Sequence, residues 1–124
     1  MGLFSSLLGN AGVIDEQKLN ETIRPLLADS EQAIIGFNIF RDKMIFTSQR
    51  LIITDTQGLT GSKVSYLSIP YSKITKFSIE TTGTFDLDAE LKIWVGSDST
   101  PIERKFNKKV NIYDVQKVLM NYVK

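Results

Sequence analysis

The chain reads as a mainly β protein with α: a seven-stranded antiparallel β-barrel capped by a C-terminal α-helix, with a short helical N-terminal extension. Three observations carry this expectation. The run from Asp42 to Gly58, DKMIFTSQRLIITDTQG, sets two apolar-rich strands about a polar Ser48-Gln49 corner, the pattern of an antiparallel meander. Clean alternation in Ile74–Glu80, resumed from Ala89 to Val95, marks half-buried strands. Finally, Ile112, Val115, Val118, Leu119 and Tyr122 recur at helical spacing and form one apolar stripe at the end of the chain.

The elements follow in order. Asp15 can cap a helix whose Leu19, Ile23, Leu26 and Leu27 share a face, with Pro25 interrupting it near its end. From Ala33 the period becomes extended, and Ile34, Ile35, Phe37, Ile39 and Phe40 lead to the tight corner Arg41-Asp42-Lys43. Met44 to Thr47 and Leu51 to Thr54 are the next strands. Gly58 to Gly61 is a loop, since glycine reaches the positive φ that turns require. A fourth strand spans about Val64 to Ile69, and Pro70 ends its ladder by lacking a donor. In the fifth strand Phe77 and Ile79 face a core while Lys76, Ser78 and Glu80 face outward. In the sixth, Ala89, Leu91, Ile93 and Val95 face inward, opposite Glu90, Lys92 and Trp94. Gly96 to Pro101 is a turn, Ile102 to Phe106 a seventh strand, and Asn111 caps the closing helix. A helix laid over the open end of a barrel buries its own stripe and the exposed core together. The boundaries are 1–32 for the N-terminal helical extension and 33–124 for the barrel with its helix; no repeat or linker divides the chain further.

Composition excludes several chemistries. The 124 residues contain no cysteine and no histidine, which removes thiolate nucleophiles, disulfides, imidazole bases and ordinary zinc or copper sites. A hydrophobic content of 42% with 10% aromatics suffices for a real core. Fifteen basic and fourteen acidic side chains leave a formal charge of +1, so no whole-molecule field draws in nucleic acid or an anionic membrane. No stretch approaches the roughly 20 apolar residues that span a bilayer. The start, MGLFSSLLGNAG, lacks the basic flank and length of a signal peptide, and the chain is expected in the cytoplasm. Met1, Gly2 and Ser6 satisfy a permissive myristoylation pattern, while Leu3, Phe4, Leu7 and Leu8 would form a greasy helical face. The simpler reading packs that face on its own domain or on a neighbouring subunit.

Seven strands followed by one amphipathic helix is the order of pleckstrin-homology (PH) topology. The segments Phe46-Thr47, Arg50-Leu51-Ile52-Ile53-Thr54-Asp55, Gln57-Gly58, Ser68-Ile69-Pro70-Tyr71, Phe77-Ser78-Ile79-Glu80-Thr81 and Asp88-Ala89-Glu90-Leu91-Lys92-Ile93-Trp94 resemble the bacterial PH-domain family of small uncharacterised proteins. The resemblance runs from roughly Ala33 to Lys124. It implies a PH-like barrel, assembly into closed homo-oligomeric rings with a pentamer as the suggested form, no known enzymatic activity, no cofactor, and a role in protein-protein interaction.

Four clusters compete as sites. The Arg41-Asp42-Lys43 corner is too short to wrap an inositol phosphate and holds an acid between its two bases, so it reads as a charged hairpin tip. Arg104, Lys105, Lys108 and Lys109, with Phe106 between, are divided between two faces in an extended chain, which argues against a nucleic-acid platform. Asp86, Asp88 and Glu90 lack the glycine and the distant glutamate of a calcium loop, and a small filled barrel offers carboxylates no substrate cleft. No catalytic or metal residue is therefore assigned. The fourth cluster, Ser78, Glu80, Glu90, Lys92 and Trp94, shares one outer sheet face, and tryptophan among charges suits a surface for a protein partner. Leu3, Phe4, Leu7 and Leu8 are the expected oligomer contacts. The alternative is a peripheral membrane module in which the N-terminal apolar residues and Lys43 or Lys108 touch anionic lipid.

Overall fold

A computed structural model of the chain describes residue 7 and residues 10–39, 42–81 and 88–123. Helix α1 (Glu16–Ile23) comes first and runs into a 3-10 turn at Arg24–Leu26 where Pro25 stands. Strands β1 (Ala33–Ile39), β2 (Asp42–Thr47), β3 (Arg50–Gln57), β4 (Lys63–Pro70), β5 (Ile74–Glu80), β6 (Ala89–Val95) and β7 (Ile102–Phe106) precede helix α2 (Ile112–Tyr122). Both expected caps are present. The Asp15 carboxylate accepts from Lys18 N at 3.2 Å, and Asn111 Oδ1 accepts from Tyr113 N at 3.0 Å.

The expected seven antiparallel strands and closing helix are present, though among the described residues the strands do not close into a barrel. The strands form two antiparallel sheets, β1-β2-β3-β4 and β5-β6-β7, and no ladder joins them among the described residues. Between them lies one core, drawn from Ile35, Phe37, Met44, Phe46, Leu51 and Ile53 of the first sheet, Leu91, Ile93 and Phe106 of the second, and Val115, Val118 and Leu119 of α2. Phe37 and Phe46 meet edge to face at 6.1 Å. Pro70 sits at the last rung of β4, opposite Arg50, so the proline marks the strand's end as its missing donor requires.

The N-terminal segment covers the outer face of the first sheet. Ile14, Leu19 and Ile23 bury against Ile45 and Ile52 in a second apolar cluster. This explains why Met44 to Thr47 and Leu51 to Thr54 are buried at every position instead of alternating: the sheet is covered on both sides. Gly36 lets the cover come close, since a Cβ there would meet Ile14 Cδ1 at 2.8 Å and Leu19 Cδ1 at 3.0 Å. Residues 12–14 also pair along the free edge of β1, with Ile14 N donating to Gly36 O and Asn38 N to Gly12 O, each at 2.8 Å. Leu7 is buried in the chain's own central core.

Candidate functional site

The second sheet puts the five predicted surface residues on one outer face. Its register stacks them in rows: Lys76 opposite Trp94; Ser78 opposite Lys92, which opposes Glu103; and Glu80 opposite Glu90, which opposes Lys105. Their inward neighbours, Phe77, Ile79, Leu91 and Ile93, hold the face rigid by packing in the core. A bulge between Ile74 and Lys76 shifts the register at the start of β5 and brings Lys76 against Trp94. The Lys76 ammonium lies 4.7 Å from the indole centroid, a cation-π contact worth about 0.5–1 kcal/mol at such an exposed site.

The charges of this face sum to zero, with Glu90 opposite Lys105 and Lys92 opposite Glu103, yet no close ion pair joins them. Among the described residues, the one ion pair lies elsewhere, so Glu80, Glu90, Lys92, Glu103 and Lys105 form none with one another. Glu80 stands directly across from Glu90, and like charges in opposed positions destabilise a sheet. The face thus carries an aromatic anchor, three acids and three bases on stiff backbone, with hydrogen-bonding capacity left for another molecule.

The other predicted clusters do not converge. Asp42 belongs to the sheet: its Oδ1 accepts from Thr56 N, while Lys43 N donates to Thr54 Oγ1 at 2.8 Å, so the corner acid is used structurally. Phe40 and Arg41 lie outside the described residues. Arg104 lies on the Leu91 and Phe106 side of β7 and Lys105 on the opposite side, as alternation predicts, while Lys108 and Lys109 are exposed in the following loop. Asp86 lies outside the described residues and Asp88 is exposed; no group of three or more metal-ligating side chains occurs among the described residues. Of the expected oligomer contacts, Leu7 is committed to its own core, and Leu3, Phe4 and Leu8 lie outside the described residues. No helix among the described residues is long and apolar enough to cross a membrane.

Sequence reasoning missed a cluster centred on Glu31. Its carboxylate side chain is 1% exposed and takes a fork from Arg50, with Nε to Oε2 at 2.8 Å and Nη2 to Oε1 at 3.0 Å. Ala28 N and the Thr47 hydroxyl also donate to it, at 2.9 and 2.6 Å. The Arg50 hydrogen bonds, aided by Ala28 and Thr47 against the opposing effect of burial, lower the Glu31 pKa from 4.5 to about 2. Arg50 reaches onward to Leu26 O and Ser68 Oγ, and Tyr71 donates to Thr47 O at 2.7 Å. Tyr71 stacks on Tyr122 of α2 at 4.8 Å, and burial raises the pKa of both phenols. A perturbed carboxylate can mark a catalytic site. Here both oxygens are occupied by donors of the chain itself, so the cluster fastens the N-terminal cover and α2 to the sheet. A recess of about 250 Å³ near Asn10, Val13, Lys109 and Asp114 lies apart from both clusters.

Comparison with known proteins agrees with this architecture. The sequence profile of the bacterial PH domain matches residues 2–123. The uncharacterised protein YjqA of Bacillus subtilis is 44% identical over 120 residues, which cover 96% of each chain. Among solved structures, a pleckstrin homology domain from Shewanella amazonensis superposes with a TM-score of 0.83 at 41% identity, covering 99% of both chains. A protein with a pleckstrin-homology domain from Shewanella loihica gives 0.81 at 40% identity, covering 94% of this chain and 99% of its own.

Proposed function

The chain belongs to the bacterial PH-domain family, and from that premise we propose that it is a non-enzymatic interaction scaffold that assembles into a cyclic homo-oligomer. The fold is in general that of a protein-interaction or lipid-binding module. The finer reading is carried by the outer face of β5-β6-β7, where Trp94 under Lys76 is ringed by charges without ion pairs and by the opposed Glu80 and Glu90. A face tuned only for stability would not oppose two carboxylates. Closed rotational assembly would repeat this face around an axis and present it several times to one protein partner, raising avidity without new contacts. A pentamer is the form that family resemblance suggests.

Light scattering on a size-exclusion column tests the assembly. A discrete multiple of the 14.0 kDa chain supports it, and a monomer at micromolar concentration overturns it. The competing membrane reading predicts flotation with anionic vesicles at low salt and release as salt rises.

A further inference from the structure

On the outer face of β5-β6-β7, the charges of β6 and β7 stand opposite charges of the other sign: Lys92 faces Glu103 and Glu90 faces Lys105. Those of β5 do not. Lys76 has Trp94 across from it, and Glu80 has Glu90. Both β5 charges are exposed, as is Ser78 between them. Lys76 and Glu80 lie four residues apart on one strand, which separates their backbone positions by about 13 Å at about 3.3 Å per residue. That exceeds the roughly 8 Å beyond which exposed charges are largely screened from one another at physiological ionic strength. A face of zero net charge is therefore bipolar along β5, with a cation against an indole at one end and two opposed carboxylates at the other.

Resting on the reading of this face as a partner surface, we propose that it recognises a bipolar, extended segment of a partner protein, with a carboxylate against Lys76 and a lysine or arginine between Glu80 and Glu90. In an extended segment alternate side chains point to one face, so the two groups fall at i and i+4, with the residue at i+2 over Ser78. Directly opposed residues have Cβ atoms about 5 Å apart, and an ammonium or guanidinium seated between the two carboxylates relieves the repulsion each exerts on the other. At the other end an incoming carboxylate meets Lys76 beside an indole whose large, rigid surface keeps water from the contact. Polyanions fit poorly. A nucleic acid or an anionic lipid surface that engaged Lys76 would lay further negative charge over Glu80 and Glu90. Nor do the two carboxylates suit a bare divalent cation, since no group of three or more ligating side chains occurs among the described residues.

A display library of short random peptides, panned against the wild-type protein, reads this rule directly. Enriched sequences should carry an acid and a base four positions apart, in either order, because an extended segment can lie in either direction along β5. Synthetic copies followed by fluorescence polarisation should lose affinity several-fold as salt rises, and several-fold on Trp94→Ala. Charge exchange supplies a second measurement. The chain carrying both Glu80→Lys and Glu90→Lys should bind these peptides several-fold more weakly and recover when their base is replaced by glutamate. Lys76→Glu should behave in the same way toward peptides whose acid is replaced by lysine. Each variant is first shown to keep the wild-type urea midpoint, and because the two exchanges are independent, one folded variant suffices. Peptides that need Trp94 but carry charges of one sign, or none, overturn the bipolar rule and leave the partner surface standing. Enrichment indifferent to Trp94→Ala, or no enrichment, overturns that reading and the proposal with it.

Discussion

A carboxylate as buried as Glu31 is tolerated only because four donor groups meet its two oxygens, and two of its neighbours in the network stand on other elements. Glu31→Gln keeps the shape but weakens the charge-assisted fork and presents an amide N–H₂ toward a guanidinium. We expect it to cost about 2–3 kcal/mol in urea unfolding, within the range for hydrogen bonds to charged groups, because Arg50 itself remains partly exposed. The pH dependence has a definite sign. The folded-state pKa of about 2 lies below the ordinary 4.5, so the stabilisation is present above 4.5 and is lost as pH falls through 2. The shift corresponds to roughly 3 kcal/mol. Acid titration of unfolding free energy should show this loss in the wild type and a shallower slope in Glu31→Gln; equal slopes would remove Glu31 from its acid sensitivity. The turn before Glu31 adds a second residue-scale expectation. Ser30 adopts φ 65°, a left-handed conformation that glycine enters without a Cβ penalty, so Ser30→Gly should be neutral or stabilising by up to about 1 kcal/mol.

At the scale of elements, α1 acts as a cover whose contribution can be measured. Leu19 is 2% exposed and lies with Ile23 against Ile45 and Ile52, so Leu19→Ala should destabilise by about 2–5 kcal/mol. Gly36→Ala should also destabilise, by about 1–3 kcal/mol, because the added methyl must displace Ile14 and Leu19 side chains. If Gly36→Ala proves neutral, the helix is not packed as closely as this geometry requires. The elements themselves were largely legible in sequence, since alternation, turn residues and caps are local properties; the closing helix starts after Asn111, as its capping side chain indicated. What escaped was long-range. The unbroken runs MIFT and LIIT gave no period by which to see that α1 lies over their second face. A barrel and two separate sheets have the same strand order, and only the ladders distinguish them. The residues of the outer face were legible from alternation, but the opposition of Glu80 to Glu90 and of Lys76 to Trp94 depends on register and on the bulge at Thr75. Glu31 had no signal of its own: a single acid before an apolar strand looks like an ordinary solvated turn.

For the whole molecule the question is whether two unjoined sheets behave as one cooperative unit. The central core takes side chains from both sheets and from α2, and the Glu31–Thr47–Tyr71–Tyr122 chain of contacts connects the N-terminal cover, the first sheet and the closing helix. Unfolding one sheet alone would strip the inner face of the other, so small partial openings are costly and a single transition is expected. Trp94 is the chain's only tryptophan and stands on the second sheet, whereas far-ultraviolet circular dichroism averages over both sheets and both helices. Urea unfolding followed by tryptophan emission and by circular dichroism should therefore give coincident midpoints. An earlier dichroism loss with emission intact would mean that α1 and the first sheet open while β5-β6-β7 remains folded, and the shared core would not be the unit of stability. The same fluorophore separates stability from recognition. Trp94→Ala removes a contact worth only about 0.5–1 kcal/mol to the fold, so the variant should stay folded with its midpoint little changed while the outer face loses its aromatic anchor for a protein partner.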